Sequence, residues 1–186
     1  MRKLYTLFSI VVIVVFFTGF SNAQNNVAVG VQAGVALPLD DFGDIYDAGF
    51  GGQGTFAIRV SPNVDVIGSV GYLTWSGKDL DYTFSTIPIL AGIRYYFREE
   101  KFNPYITGEL GIHFTTVDVP TLIIRGLTIS GISASDSFFG FGLGAGFLYQ
   151  LSPKLNLDVN SKFSSISSSG GSSNYISIMA GLLVSL

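Results

Sequence analysis

The chain has no cysteine, a single histidine and few charged residues, and each shortage narrows what the protein can be. Without cysteine, neither disulfides nor thiolate metal ligands can contribute to the fold. One histidine, His113, excludes a site built from several histidines. Only 12% of the 186 residues are charged and the mean hydropathy is +0.48, a combination unusual for a water-soluble domain. We therefore expect no metal and no cofactor. His113 as the base of a membrane-embedded hydrolase is an alternative, but no serine and acid lie at a recognisable spacing beside it, so we expect no enzymatic activity.

Positive charge and long apolar runs are scarce as well. Beyond residue 23, eight Lys and Arg face thirteen Asp and Glu, a net charge near −5. This acidic balance argues against nucleic acid, whose recognition needs basic patches. No apolar run beyond residue 23 reaches the ~20 residues of a transmembrane helix. A hydrophobic chain without such helices can still cross a membrane as a closed barrel, because closure satisfies every backbone polar group.

The N-terminal segment has the features of a secretory signal peptide. Two basic residues are followed by an apolar stretch over 4–20 and by small residues that end at Ala23. We predict cleavage between Ala23 and Gln24, which leaves residues 24–186 as one domain; an uncleaved membrane anchor is the alternative. The exported protein is expected in the bacterial outer membrane.

Alternation with period two is the dominant pattern in the rest of the chain. In the last twelve residues, apolar side chains take every second position from Ile176 to Leu186, as on one face of a strand. We predict eight such strands, at about 26–37, 50–60, 64–75, 84–97, 104–117, 137–151, 155–166 and 174–186. Short turns alternate with longer segments at 38–49, 76–83, 118–136 and 167–173. This predicts an eight-stranded antiparallel up-and-down transmembrane β-barrel with its long loops outside the cell.

The direction of the two strand faces decides between a membrane barrel and a secreted one. A secreted lipocalin-like barrel would turn the apolar face inward and bathe the other face in water. That other face is mostly Gly, Ala, Ser, Thr and Asn, whereas soluble surfaces are about a quarter to a third charged. Aromatic side chains also gather near the strand ends, as in interfacial girdles. We therefore predict lipid outside and a polar lumen inside.

The inward faces collect six charged residues, three of each sign: Arg59, Asp65, Arg94, Glu109, Asp158 and Lys162. An eight-stranded barrel is only wide enough for its own side chains, so a lone charge there would be poorly solvated. Arg59 and Asp65 flank a tight turn and are expected to meet. Arg94 is expected to pair with Glu109 on the neighbouring strand, with Asp158 two strands further round. We predict a structural ion-pair network; a narrow ion or proton path is the alternative.

Three further features have a structural and a functional interpretation. Alternate glycines at 140–146 are expected to face inward and make room for bulky neighbours such as Arg94, rather than to bind phosphate. Four aspartates in 38–49 fit a solvated loop better than a calcium site, since they lack EF-hand spacing. The segment 118–136 is unusually apolar. It is either an extension of two strands past the membrane or a patch that contacts another protein or ligand.

Three segments carry a family resemblance: TIPILAGIRYYF (86–97), NPYITGELG (103–111) and GLGAGFLYQLS (142–152). With these segments the chain resembles the outer-membrane β-barrel domain family, including OmpA-like and PorT-like small barrels. The resemblance implies an integral outer-membrane protein with a structural or surface-interaction role. A small channel for apolar or small solutes, as in OmpW-like barrels, is the alternative. We expect a monomer whose main partner is outer-membrane lipid.

Overall fold

The computed structural model of the protein describes residues 27–78, 82–97, 100–119, 122–124, 127–129, 131–168 and 171–186. The predicted signal segment and its cleavage site between Ala23 and Gln24 lie outside these residues. Among the described residues, no helix is both long enough and apolar enough to cross a membrane. The elements are β1 (Val27–Leu39), α1 (Asp40–Ile45), β2 (Gly49–Ser61), β3 (Val64–Ser76), β4 (Thr83–Tyr96), β5 (Phe102–Val119), β6 (Leu122–Ile124), β7 (Leu127–Ile129), β8 (Ile132–Ser152), β9 (Leu155–Ser168) and β10 (Gly171–Ser185).

Eight of these strands form one closed barrel in the order β1–β10–β9–β8–β5–β4–β3–β2. Every pairing is antiparallel, and β1 pairs with β10 to complete the circle, with Ala33 opposite Ala180. Closure leaves no unpaired edge, which is the condition for strands to exist in lipid. The predicted eight-stranded up-and-down barrel is confirmed.

Alternate residues of each strand form the outer and the inner wall of the barrel. Val31, Leu110 and Leu143 are among the large apolar side chains exposed on the outer wall. Their strand neighbours Gln32, Glu109 and Gly142 are buried on the inner wall. An apolar outside around a polar inside is the reverse of a soluble domain and matches a transmembrane barrel.

The segment 118–136 is mostly strand. β5 and β8 remain paired up to Val119 opposite Ile132, well beyond the predicted strand ends. Between them, β6 and β7 form a separate two-stranded sheet. The backbone therefore follows the strand-extension interpretation of this segment. The contact-patch interpretation depends on apolar side chains from Val119 to Ile132. The structure describes only backbone at these positions, so that interpretation stays a prediction.

A short helix replaces part of the predicted first loop. Helix α1 follows β1 directly, and Asp40 at its start has a φ of +53°. Aspartate is one of the few non-glycine residues that tolerate this left-handed conformation. The turn brings α1 to the end of the barrel where the long connections lie. That end is extracellular in outer-membrane barrels, and we call it the long-loop end.

Candidate functional site

The lumen is the candidate site, because the buried polar side chains of the barrel converge there. All six charged residues predicted for the lumen lie on inward positions of their strands. Five of them are buried, and Arg59 at the short-turn end is partly exposed. They form three ion pairs at different depths.

The first pair closes the short-turn end of the lumen. Arg59 on β2 lies directly opposite Asp65 on β3, and its Nε donates to Asp65 Oδ1. The hydroxyl of Tyr96 donates to the other carboxylate oxygen, Oδ2, over 2.8 Å. The Arg59 guanidinium also stacks 4.8 Å from the centre of the Tyr96 ring. The aromatic ring and the carboxylate together hold this cation at the barrel end.

The second pair lies slightly deeper. Arg94 Nη1 is 3.2 Å from Asp158 Oδ2, and both side chains are nearly inaccessible to solvent. Tyr105 donates its hydroxyl to Asp158 Oδ1 over 2.5 Å, and its ring centre lies 4.2 Å from the Arg94 guanidinium. Leu148 and Leu183 pack with Tyr96 and Tyr105 in an apolar cluster around this level. Water has little access to this end of the lumen.

The third pair occupies the middle of the lumen. Lys162 Nζ donates to Glu109 Oε2, and Ser69 Oγ donates to Glu109 Oε1 over 3.0 Å. Lys162 also lies within 3.4 Å of Gln53 Oε1. Gln53 in turn donates to Gln32 over 2.8 Å. Each charge thus has an opposite charge and a polar partner, as buried ions require.

The pairing of Arg94 differs from the expected one. Arg94 was expected beside Glu109, but it contacts Asp158 while Glu109 binds Lys162. The register explains this, because Gly92 rather than Arg94 lies opposite Glu109. Arg94 on β4 reaches across the lumen to β9, three strands away in the barrel order. In so narrow a barrel, side chains meet across the lumen as readily as between adjacent strands.

The inward glycines of β8 let Lys162 reach Glu109. Gly142 on β8 lies opposite Glu109 on β5, and Gly144 lies opposite Lys162 on β9. A Cβ added at Gly142 would lie 3.0 Å from Lys162 Cδ, so the lysine chain passes over this glycine. These glycines therefore make room for Lys162 rather than for Arg94, the neighbour expected from the sequence.

His113 lies above this pair, towards the long-loop end, and is fully buried. Its ring crosses Gly140, where an added Cβ would lie 2.6 Å from His113 Cδ2. Neither ring nitrogen has a hydrogen-bond partner within the described part of the chain, and the same holds for Thr86 Oγ1. His113 is therefore not hydrogen-bonded to any described serine or carboxylate, as the base of a hydrolase would be. Buried polar atoms of this kind are suited to binding ordered water.

An aromatic plug closes the long-loop end. Phe42 of α1 inserts into the barrel mouth, and its ring centre lies 5.4 Å from that of Trp75 and 5.2 Å from that of Phe84. Trp75 packs in turn on Tyr175 at 5.1 Å and donates its indole N–H to the Ala36 carbonyl over 2.9 Å. The lumen is thus filled by apolar rings above and by ion pairs below.

Helix α1 is held over the mouth by hydrogen bonds from the facing loops. Lys78 Nζ donates to the Gly43 carbonyl over 2.5 Å, and the hydroxyl of Tyr82 donates to the Ile45 carbonyl over 3.2 Å. Tyr46 packs 4.8 Å from Phe42, and burial raises the pKa of its phenol. The sequence predicts a solvated acidic loop for this segment, and this prediction does not include the plug. The aromatic pair Phe42 and Tyr46, four residues apart in the sequence, was the available signal.

The described residues do not form a metal site. Among the described residues, no group of three or more His, Asp or Glu side chains is placed to hold a metal ion. In the acidic first loop, Asp40 Oδ2 accepts a hydrogen bond from Asn174 over 3.1 Å.

The closed barrel, its apolar outer wall and its filled polar lumen define a small integral outer-membrane β-barrel protein. The profile of the outer membrane protein beta-barrel domain matches residues 8–182, so the chain belongs to this family.

Solved structures show the same fold at low sequence identity. Neisserial surface protein A aligns with a TM-score of 0.62 and 18% identity, covering 86% of this chain and 97% of that one. A major outer membrane protein from Thermus thermophilus aligns with a TM-score of 0.63 and 17% identity, covering 88% and 100%. Ail, the attachment invasion locus protein of Yersinia pestis, aligns with a TM-score of 0.57 and 16% identity, covering 86% and 99%. Ail has also been solved with the heparin analogue sucrose octasulfate. No curated protein matches.

Proposed function

We propose that the protein is a non-conducting, non-enzymatic outer-membrane barrel whose role is structural or depends on contacts made by its long-loop end. The observation that carries this proposal is the closure of the lumen at two depths. The plug of Phe42, Trp75 and Phe84 fills one end. The pairs of Arg94 with Asp158 and of Arg59 with Asp65 fill the other. Ions crossing the lumen would have to displace both.

The charge distribution supports a role for the long-loop end. The six lumen charges balance, and the short connections at 98–103 and 154 carry three basic and two acidic residues. The connecting segments at the long-loop end carry eight aspartates against one lysine and one arginine. These segments therefore carry a net charge of −6, against −5 for the whole chain beyond residue 23, so the excess of negative charge belongs to the long-loop end. A surface of this sign favours cationic partners and disfavours polysulfates such as the one bound by Ail.

Conductance in planar lipid bilayers tests the proposal. Because both lumen ends are filled, the purified barrel should give no steady single-channel current, with an open porin as the positive control. Stable openings would contradict the proposal and favour the channel for small solutes.

The proposal includes export through the N-terminal segment, with cleavage between Ala23 and Gln24. Mass spectrometry of the protein recovered from outer membranes should then find a chain that begins at Gln24. A chain that retains residues 1–23 would indicate the anchored alternative. We also propose that the barrel is monomeric in lipid and that the hairpin in 118–136 contributes to its outward contacts. Cross-linking in native membranes tests both points.

A further inference from the structure

Helix α1 covers only part of the barrel mouth. It packs against β1 and β10, and its carbonyl groups are held from the side of β3. On the other side of the mouth, between β5, β8 and β9, an open cavity of about 330 Å³ remains. We call this cavity the vestibule. Its volume lies at the lower end of the range of small-molecule sites, about 300–1,000 Å³.

The vestibule combines an apolar floor with a polar wall. Phe84, Phe138 and Ile166 line the floor and belong to the aromatic plug or pack against it. Hydroxyl side chains of Thr115 and Ser173 line the wall. An apolar floor with a few convergent polar groups is the usual composition of a ligand site.

Asp136 is the one ionisable side chain among the lining residues. It lies on the inward face of β8, two residues before Phe138. Its Oδ1 accepts a hydrogen bond from the Ser137 amide over 2.8 Å, and Thr115 Oγ1 donates to its backbone carbonyl over 3.3 Å. No basic side chain within the described ranges forms an ion pair with it. Within the described part of the chain, its negative charge is therefore not neutralised by an ion pair.

We propose that the vestibule binds a small organic cation, an amine that carries an apolar ring or chain. The ammonium group pairs with Asp136. The apolar part packs on the floor, and the ring faces of Phe84 and Phe138 there add to the attraction for a cation. The aspartates of the long-loop end raise the concentration of cations near the barrel mouth. An anion finds no counter-charge among the described lining residues. The inference rests on the proposed outward role of the long-loop end.

Isothermal titration of the full chain, folded in detergent micelles, tests this site with three probes of similar shape. They are 2-phenylethylamine, the neutral 2-phenylethanol and the anionic 3-phenylpropionate. We expect saturable binding of the amine, weaker binding of the alcohol and none of the anion. Asp136→Asn should weaken amine binding about fivefold, the scale of an ion pair open to water. It should leave the alcohol unchanged.

Asp118→Asn is the matched control. Asp118 carries the same charge at the same end of the barrel, but it is exposed on the outward face of β5. Its loss should change amine binding less than twofold. A second variant, Ala134→Phe, fills the vestibule without changing its charge and should weaken both amine and alcohol. Heat-modifiable gel migration verifies that each variant is folded.

Three results would overturn the inference: no saturable binding of the amine, equal binding of the anion, or equal weakening by Asp136→Asn and Asp118→Asn. The last result would assign the attraction to diffuse surface charge. The bilayer experiment remains independent of this one. Steady current would refute the closed barrel whether or not the amine binds, and absence of current with absence of binding would refute the vestibule site alone.

Discussion

The pair formed by Lys162 and Glu109 offers the sharpest test of the lumen. Both side chains are nearly inaccessible, with exposed fractions of 7% and 4%. Removing one partner of a buried pair costs ~3–5 kcal/mol, because the other charge is left buried and unpaired. In Glu109→Leu, Lys162 retains only Gln53 at 3.4 Å. In Lys162→Met, Glu109 retains Ser69 at 3.0 Å. We therefore expect a loss near the lower end of that range, about 3 kcal/mol, for each single change.

The double variant Lys162→Met with Glu109→Leu should recover part of the summed loss, because it leaves no unpaired charge. We expect a coupling free energy of about 2 kcal/mol, within the range found for residues in contact. Trp75 is the only tryptophan of the chain and lies in the plug, so its emission reports unfolding in urea from lipid vesicles. Asp65→Asn with Lys162→Met is the control, since these residues belong to different pairs and should be additive.

Additivity of the Lys162 and Glu109 changes would refute the pairing described here. The combination of Arg94→Met with Glu109→Leu separates the two possible arrangements. It should show less coupling than Arg94→Met with Asp158→Leu, because Arg94 lies 3.2 Å from Asp158. A stronger coupling of Arg94 with Glu109 than with Asp158 would instead support the pairing expected from the sequence.

Two further perturbations test the outer wall and the plug. Leu143→Arg should cost ~2–4 kcal/mol by placing a charge in lipid, whereas Gly144→Arg should fail by crowding. A Cβ at Gly144 would lie 2.7 Å from the Ser161 carbonyl oxygen. Heat-modifiable gel migration shows whether each variant folds and how readily it unfolds on heating. Burial raises the pKa of Tyr46 above its ordinary 10.0, so docking of α1 should be strongest below that pH and weaken as the pH rises through it. Trp75 lies in the plug, so its emission should follow this loss of docking as the pH rises. Tyr46→Phe should remove the pH dependence of the emission. An unchanged alkaline transition in this variant would assign the transition to other groups.

The fold was largely readable from the sequence because alternation is a local property. A residue in a strand faces the opposite wall from its neighbour, so one register of inward and outward positions satisfies a whole segment. Even so, the inner face of β10 carries Met179 and Leu183 among its small and polar residues. These two side chains join the apolar clusters at the two ends of the lumen. Alternation identifies the wall but not the depth at which the lumen changes from polar to apolar.

The pairing inside the lumen was not readable, because it depends on contacts across the barrel. Strand neighbours can be inferred from chain order, and Arg59 with Asp65 follows from a tight turn between them. The contacts of Arg94 with Asp158 and of Lys162 with Glu109 depend on which strands lie within side-chain reach across the lumen. The glycines at 140–146 decide part of this, since they remove the obstacle between β5 and β9. No local pattern reports that distance.

The arrangement of charge supports the proposed role of the long-loop end. The lumen charges neutralise one another, so the interior offers no net attraction to an ion. The outer wall is apolar and can contact only lipid or another apolar surface. The short connections at the opposite end nearly balance in charge. What remains is the acidic long-loop end with its open vestibule, where Asp136 forms no ion pair with a described residue. Since unneutralised charge and an open cavity coincide at this end among the described residues, variants there should alter binding while leaving the barrel intact.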